Sequence, residues 1–227
     1  MKYISMIILC LFLSSCGNPP ATDSTSSKNE AVFVLVENGG TIAPDEQEEA
    51  LNVTLHLLQQ LTKLGRRKAT QNAQIHIILS ALPNRIAWSG TPRQLLEQAN
   101  QIKALMTFKP SFSDLVMAFE QIETTINLTQ PDSIRLYWIG STIHVPFQES
   151  GGAIEVKVPQ EVPANLALGN FASRLSTLKI MRAHPDQDQM LQAYLASIGI
   201  LKRAKSGDID FALLGDAQTK SRIKDLL

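Results

Sequence analysis

Cysteine is nearly absent. The 227-residue chain has two, Cys10 and Cys16, and none beyond them. Everything from Gly17 onward therefore lacks the means for a disulfide, a thiol nucleophile or a thiolate metal site. Histidine is scarce too. His56, His76, His144 and His184 stand apart, without the H-E-x-x-H spacing of a zinc site, and we read each as packed or solvated. An excess of charge is also missing: 21 Lys and Arg face 21 Asp and Glu, which argues against nucleic acid as a partner. No apolar run reaches the roughly 20 residues that span a bilayer. Gly140-Ser141-Thr142 is not the G-x-S-x-G of a hydrolase elbow. Glu37-Asn38-Gly39-Gly40-Thr41 has neither the Gly-Lys-Ser/Thr ending of a P-loop nor G-x-G-x-x-G. With these constellations missing, the sequence predicts a non-enzymatic protein that uses no cofactor.

What is present begins at the N-terminus. Lys2 precedes a short apolar stretch, Tyr3 to Leu13, of the length of a signal-peptide core. It ends in Leu13-Ser14-Ser15-Cys16. This resembles the lipobox of bacterial lipoproteins: an aliphatic residue, two small residues, then Cys. The resemblance implies a signal peptide over residues 1–15, removed to leave Cys16 lipidated by fatty-acyl chains such as palmitate. Each buried methylene contributes roughly 0.8 kcal/mol, and two chains already anchor stably. Gly17, where Asp would favour the inner membrane, implies the outer membrane, facing the periplasm. Residues 16–30 then read as the lipidated Cys and a flexible tether, since GNPPATDSTSSKNE has no large apolar residue to bury. A single domain over 31–227 follows.

Within that domain strands alternate with helices. Ala31–Val36, Gln74–Ser80 and Ser133–Ile139 are β-rich apolar runs, and Asn84–Trp88 is a shorter edge candidate. Ile154–Val158 is a fourth main strand. Leu51, Leu55, Leu58, Leu61 and Leu64 recur at helical spacing after Pro44 and an acidic first turn. Thr91-Pro92-Arg93-Gln94 predicts a capping box, and Ser113 is read as the cap of a helix with the stripe Leu115, Val116, Phe119, Ile122 and Ile126. After Pro163 the pattern predicts helices over Ala164–Arg182 and Asp186–Lys205, with Asp210–Leu214 open between strand and helical turn. Arg66-Arg67-Lys68 and Lys202-Arg203-Lys205 read as solvated helix ends rather than a lipid-headgroup site. The fold class is α/β, three-layered, with a mainly parallel sheet, helices on both faces and a helical C-terminal part.

In such sheets ligands bind at the carboxyl ends of strands. There the chain resembles a von Willebrand factor A domain, a Rossmann-like fold, from about Ala31 to Val158. That family ends its first strand in Asp-x-Ser-x-Ser, adds a Thr at a later helix start, and ends a later strand in Asp-Gly. Glu37, Gly39 and Thr41 fall on the first pattern, Ser113 on the Thr, and Ile139-Gly140 on the Asp-Gly. Trp88-Ser89-Gly90-Thr91-Pro92 resembles the end of the family's short strand pair. The family's oxygens hold Mg²⁺, which bridges to a partner's acidic group. Here Gly39 offers no side-chain oxygen and Ile139 is apolar, whereas Mg²⁺ demands oxygens in near-octahedral order. The expectation is a degenerate site with no metal.

These readings converge on an outer-membrane lipoprotein that acts as a protein–protein interaction module in an envelope assembly, of secretion, conjugation or pilus type. The expected partners are the membrane, through the anchor, and other envelope proteins. The alternative is a periplasmic small-ligand-binding protein or hydrolase using the strand-end crevice.

Overall fold

A computed structural model describes residues 29–146, 161–225 and 227. Cys16, most of the tether and the expected strand Ile154–Val158 lie outside the described residues. Six strands form one sheet: β1 (Glu30–Val36), β2 (Gln74–Leu79), β3 (Ile86–Gly90), β4 (Ser133–Ile139), β5 (Leu175–Ala183) and β6 (Asp210–Gly215). Their order is β3-β2-β1-β4-β5-β6, and all pairs are parallel except β2–β3. The chain winds outward from β1 to β3, then restarts beside β1 at β4 and winds the other way. The C-terminal ends of β1 and β4 therefore flank a crevice where the winding reverses.

The helices are α1 (Gln47–Leu61), α2 (Pro92–Glu97), α3 (Ala99–Leu105), α4 (Leu115–Thr129), α5 (Leu168–Phe171), α6 (Asp188–Ser197), α7 (Ile200–Ser206) and α8 (Asp216–Arg222). They cover both faces, because successive side chains of a strand point to opposite sides. Phe33 and Leu35 face a core closed by Phe119 and Ile122 of α4, Phe171 of α5, Leu191 of α6 and Ile200 of α7. Val32, Val34 and Val36 face the other core, closed by Val53, Leu57 and Leu61 of α1, Leu95 of α2 and Ile102 of α3. Central strands buried on both faces read as unbroken apolar runs, which is why β1, β2 and β4 are evident in the sequence.

Several expectations need correction. The C-terminal part is mixed and not wholly helical, since β5 and β6 alternate with α5 to α8. Leu175–Ala183 is a nine-residue strand, paired to β4 and β6, and of the expected helix only Leu168–Phe171 is α-helical, followed by a 3-10 turn over Ala172–Arg174. Leu, Lys, Met and Ala suit a helix by propensity, but burial between two strands overrides that weak preference. The next helix is divided at Gly199, whose φ of +81° starts α7 anew. The stripe of α1 is Val53, Leu57, Leu58 and Leu61, with Leu51 and Leu55 only half-buried. The cap of α4 is Asp114, whose Oδ1 accepts from the Met117 N–H at 3.0 Å, and not Ser113. The Thr91–Gln94 capping box is present as expected.

Candidate functional site: a carboxylate closing the strand-end crevice

Glu37 follows β1 directly and is 1 % exposed. Its carboxylate is met from four sides. Oε1 accepts the Trp138 indole N–H at 2.6 Å and the Thr142 backbone N–H at 2.8 Å. Oε2 accepts the Ser141 hydroxyl at 3.0 Å and, more loosely, the Thr41 hydroxyl at 3.5 Å. Every partner is a donor, as suits an anion. Burial nevertheless outweighs them and raises the Glu37 pKa from 4.5 to about 7, while the bonds from Trp138, Ser141, Thr142 and Thr41 pull it down.

Two glycines make this arrangement possible. Gly140 directly follows β4 with φ +150°, and a Cβ there would overlap the Glu37 side chain. Gly39 lies against the Phe112 carbonyl, where a Cβ would also collide. The Gly40 N–H donates to the Ser111 carbonyl at 2.6 Å. The Gly-Gly turn is therefore a seat for the loop Ser111–Ser113.

Strain gathers at the same end of the sheet. Thr142 has φ +64°, an outlier for a β-branched residue, and Arg182 has φ +63° at the bulge of β5. Such residues cost of order 1–3 kcal/mol each and persist where the surroundings impose them. Thr142 is held by the Glu37 carboxylate. Arg182 is buried, donating through Nε to Asp216 Oδ1 at 2.8 Å and through Nη1 to the Glu46 carbonyl at 3.3 Å.

The structure brings the Thr41 hydroxyl to 3.5 Å from the Glu37 carboxylate, and the other residues aligned with them serve packing. Gly39 packs on backbone. Ser113 is fully buried. Its backbone forms a two-way bridge to Val145 (3.0 and 2.9 Å), and its Oγ has no hydrogen-bond partner among the described residues. Ile139 is core. Cys16 lies outside the described residues. No group of three or more metal-ligating side chains occurs among the described residues, and no helix among them is long and apolar enough to cross a membrane. His76 is stacked on Phe33 and bonded to Ser89, and burial lowers its pKa to about 4. His144 accepts from the Leu115 N–H at 3.2 Å, and His184 from the Asp186 N–H at 3.2 Å.

Sequence reasoning overlooked Trp138, Ser141 and Thr142 as partners of Glu37. The available signal was two hydroxyl residues directly after Gly140 at a strand end. It also misjudged Arg203. This residue is not a solvated helix end, because its guanidinium donates to the carbonyls of Ala172 (2.6 Å), Leu175 (2.7 Å) and Asp208 (3.1 Å).

No protein-family model matches this chain, and no curated protein matches it. Among solved structures, a mutant of the PilB minor pilin from Streptococcus sanguinis is similar in fold, with a TM-score of 0.55 at 7% identity. The match covers 88% of this chain and 60% of the pilin chain.

Proposed function

We propose that this chain is a lipid-anchored, periplasm-facing protein of the outer membrane that serves as a non-enzymatic interaction module in an envelope assembly. The observation that carries this reading is the closed crevice. Where α/β sheets usually take a ligand, all of the Glu37 carboxylate is engaged by the protein's own donors. A carboxylate occupied in this way is not free to ligate Mg²⁺ or to act on a substrate. We read the domain as a von Willebrand factor A-like fold with a degenerate metal site. Its strand order matches the doubly wound Rossmann order, and Thr41 and Glu37 hold the positions that resemblance assigns. The likeness to a minor pilin agrees with a role in a pilus or related envelope machine, although a fold alone assigns no function. The anchor is Cys16, within Leu13-Ser14-Ser15-Cys16.

The test is a mild-detergent purification of the tagged full chain from native membranes, with crosslinking. Envelope proteins recovered in fixed ratio support the module and name the machine. Recovery of the chain alone, even after crosslinking, moves the weight to a ligand-binding role. Mass spectrometry of the N-terminus checks acylation of Cys16 separately.

A further inference from the structure

The formal charge of the chain sums to zero, but the fold sorts it by sign. Loops that lead into parallel strands all lie at one end of the sheet, here the lower end. Arg66, Arg67 and Lys68 lead into β2, Arg174 into β5, and Lys202 and Lys205 into β6. All six are exposed, and no ion pair joins any of them to a described residue. Acids at this end are partly engaged. Glu30 pairs with Arg135 at 2.7 Å and Asp210 with Lys179 at 2.5 Å. Asp132 and Asp208 bond only neutral donors, the Asn29 N–H and the Ser206 hydroxyl, and keep their charge, so the six cations face two acids not paired with a described cation. At the upper end the balance reverses, with Asp45, Glu46 and Glu48 opening α1 and Asp186 and Asp188 opening α6. Helix dipoles favour each local choice. The sum is a basic underside roughly 19 Å wide from β2 to β6, four strand spacings apart.

Asn29 leads into β1 at this same lower end. The chain from Cys16 to Asn29, even fully extended, spans at most about 45 Å. A lipid on Cys16 would therefore hold the basic end near a membrane.

We propose that the lower end of the sheet is a lipid-facing surface, which rests on anionic headgroups through Arg66, Arg67, Lys68, Arg174, Lys202 and Lys205. Its occupant is the membrane that carries the anchor, and the acidic upper end is turned away from it. The inference rests on the anchored reading for its tether, and the experiment separates the two.

The chain from Cys16 onward, with Cys16→Ser and an N-terminal His tag, is held on nickel-chelating lipid. This supplies a tether without acylation. Vesicles contain phosphatidylcholine alone or with phosphatidylglycerol. A bimane label is placed on Ala69→Cys at the lower end or Gln189→Cys at the upper end, and quenching by headgroup spin label is read. The expected result is several-fold stronger quenching at position 69 than at 189 with phosphatidylglycerol, lost at high salt. Combining Arg66→Ser, Arg67→Ser and Lys68→Ser is expected to weaken untethered binding to the same vesicles by about a hundredfold, since each surface cation is worth about fivefold. Equal quenching at the two positions, or a contrast indifferent to phosphatidylglycerol, overturns the proposal. Absence of acylation on native Cys16 overturns the anchor while leaving this result to stand or fall by itself.

Discussion

The two ends of one sheet treat their polar groups in opposite ways. At the upper end they point inward and bond to each other: Glu37 with Trp138, Ser141 and Thr142, and Arg182 with Asp216 and Glu46. Two of the three non-glycine residues with positive φ among the described residues, Thr142 and Arg182, are there, while the third, Gln130, caps α4 at the lower end. At the lower end the cations Arg66, Arg67, Lys68, Lys202 and Lys205 point outward. The upper end is thus built at a cost to backbone freedom and charge burial. The lower end, apart from Gln130, asks less of the backbone and leaves the charge of these five cations unpaired by any described residue.

The largest test of this contrast is Gly140→Ala. The added methyl would overlap Glu37 and would stand at a φ of +150°. Moving Glu37 would also release four hydrogen bonds. We expect a loss of about 3 kcal/mol or more in denaturant titration. A loss below about 1 kcal/mol would mean that the upper end is soft and the closure incidental.

Next is Glu37→Gln, read against pH. The folded-state pKa of Glu37 is raised to about 7 from 4.5. Its protonated form is therefore favoured by folding. That contribution is full below about pH 4.5 and is lost as pH rises through about 7, for a total of roughly 3 kcal/mol. His76 works in the opposite sense. Its folded pKa is lowered to about 4, so its contribution is present above its unfolded value near 6.5 and is lost as pH falls toward 4. The informative quantity is the stability of Glu37→Gln minus that of the native chain. It should rise by about 2–3 kcal/mol from pH 5 to pH 8. A flat difference would show that Glu37 is either solvated or already ionised at pH 5, and the crevice would not be closed.

Legibility in the sequence followed the same physics. Strands β1, β2 and β4 were plain because they are buried on both faces and bounded by turns. β5 was misread because Leu175, Leu178 and Arg182 also fit helical spacing, and only pairing with β4 and β6 decides the matter. Glu37 and Thr41 could be located by motif spacing. Ser141 and Thr142 left only the faint mark of two hydroxyls after Gly140, and Trp138 none, because a residue about a hundred positions away meets Glu37 only once β1 and β4 are neighbours. The charge sorting was hidden for a related reason. A composition of 21 against 21 is silent on which end of a sheet each loop occupies.

Arg203 sharpens the comparison by standing against it. It belongs to a basic cluster at the lower end, yet its guanidinium ties three carbonyls just ahead of β5 and β6. Arg203→Ala should cost about 2 kcal/mol, since it removes charge-assisted bonds to three carbonyls, two of them partly buried. Thermal unfolding checks this. A neutral result would place Arg203 with its exposed neighbours.

The smallest effect is the most discriminating. Lys202 and Lys205 flank Arg203 on α7, but both are exposed and neither forms an ion pair with a described residue. Replacing both by Ser leaves every described hydrogen bond of Arg203 in place. The fold should then change in stability by no more than about 0.5 kcal/mol. If the double substitution destabilises by as much as Arg203→Ala does, the basic cluster belongs to the fold and not to a surface. If stability holds while binding to phosphatidylglycerol vesicles falls, charge at the lower end has a use outside the protein, and the two ends differ in function as they do in structure.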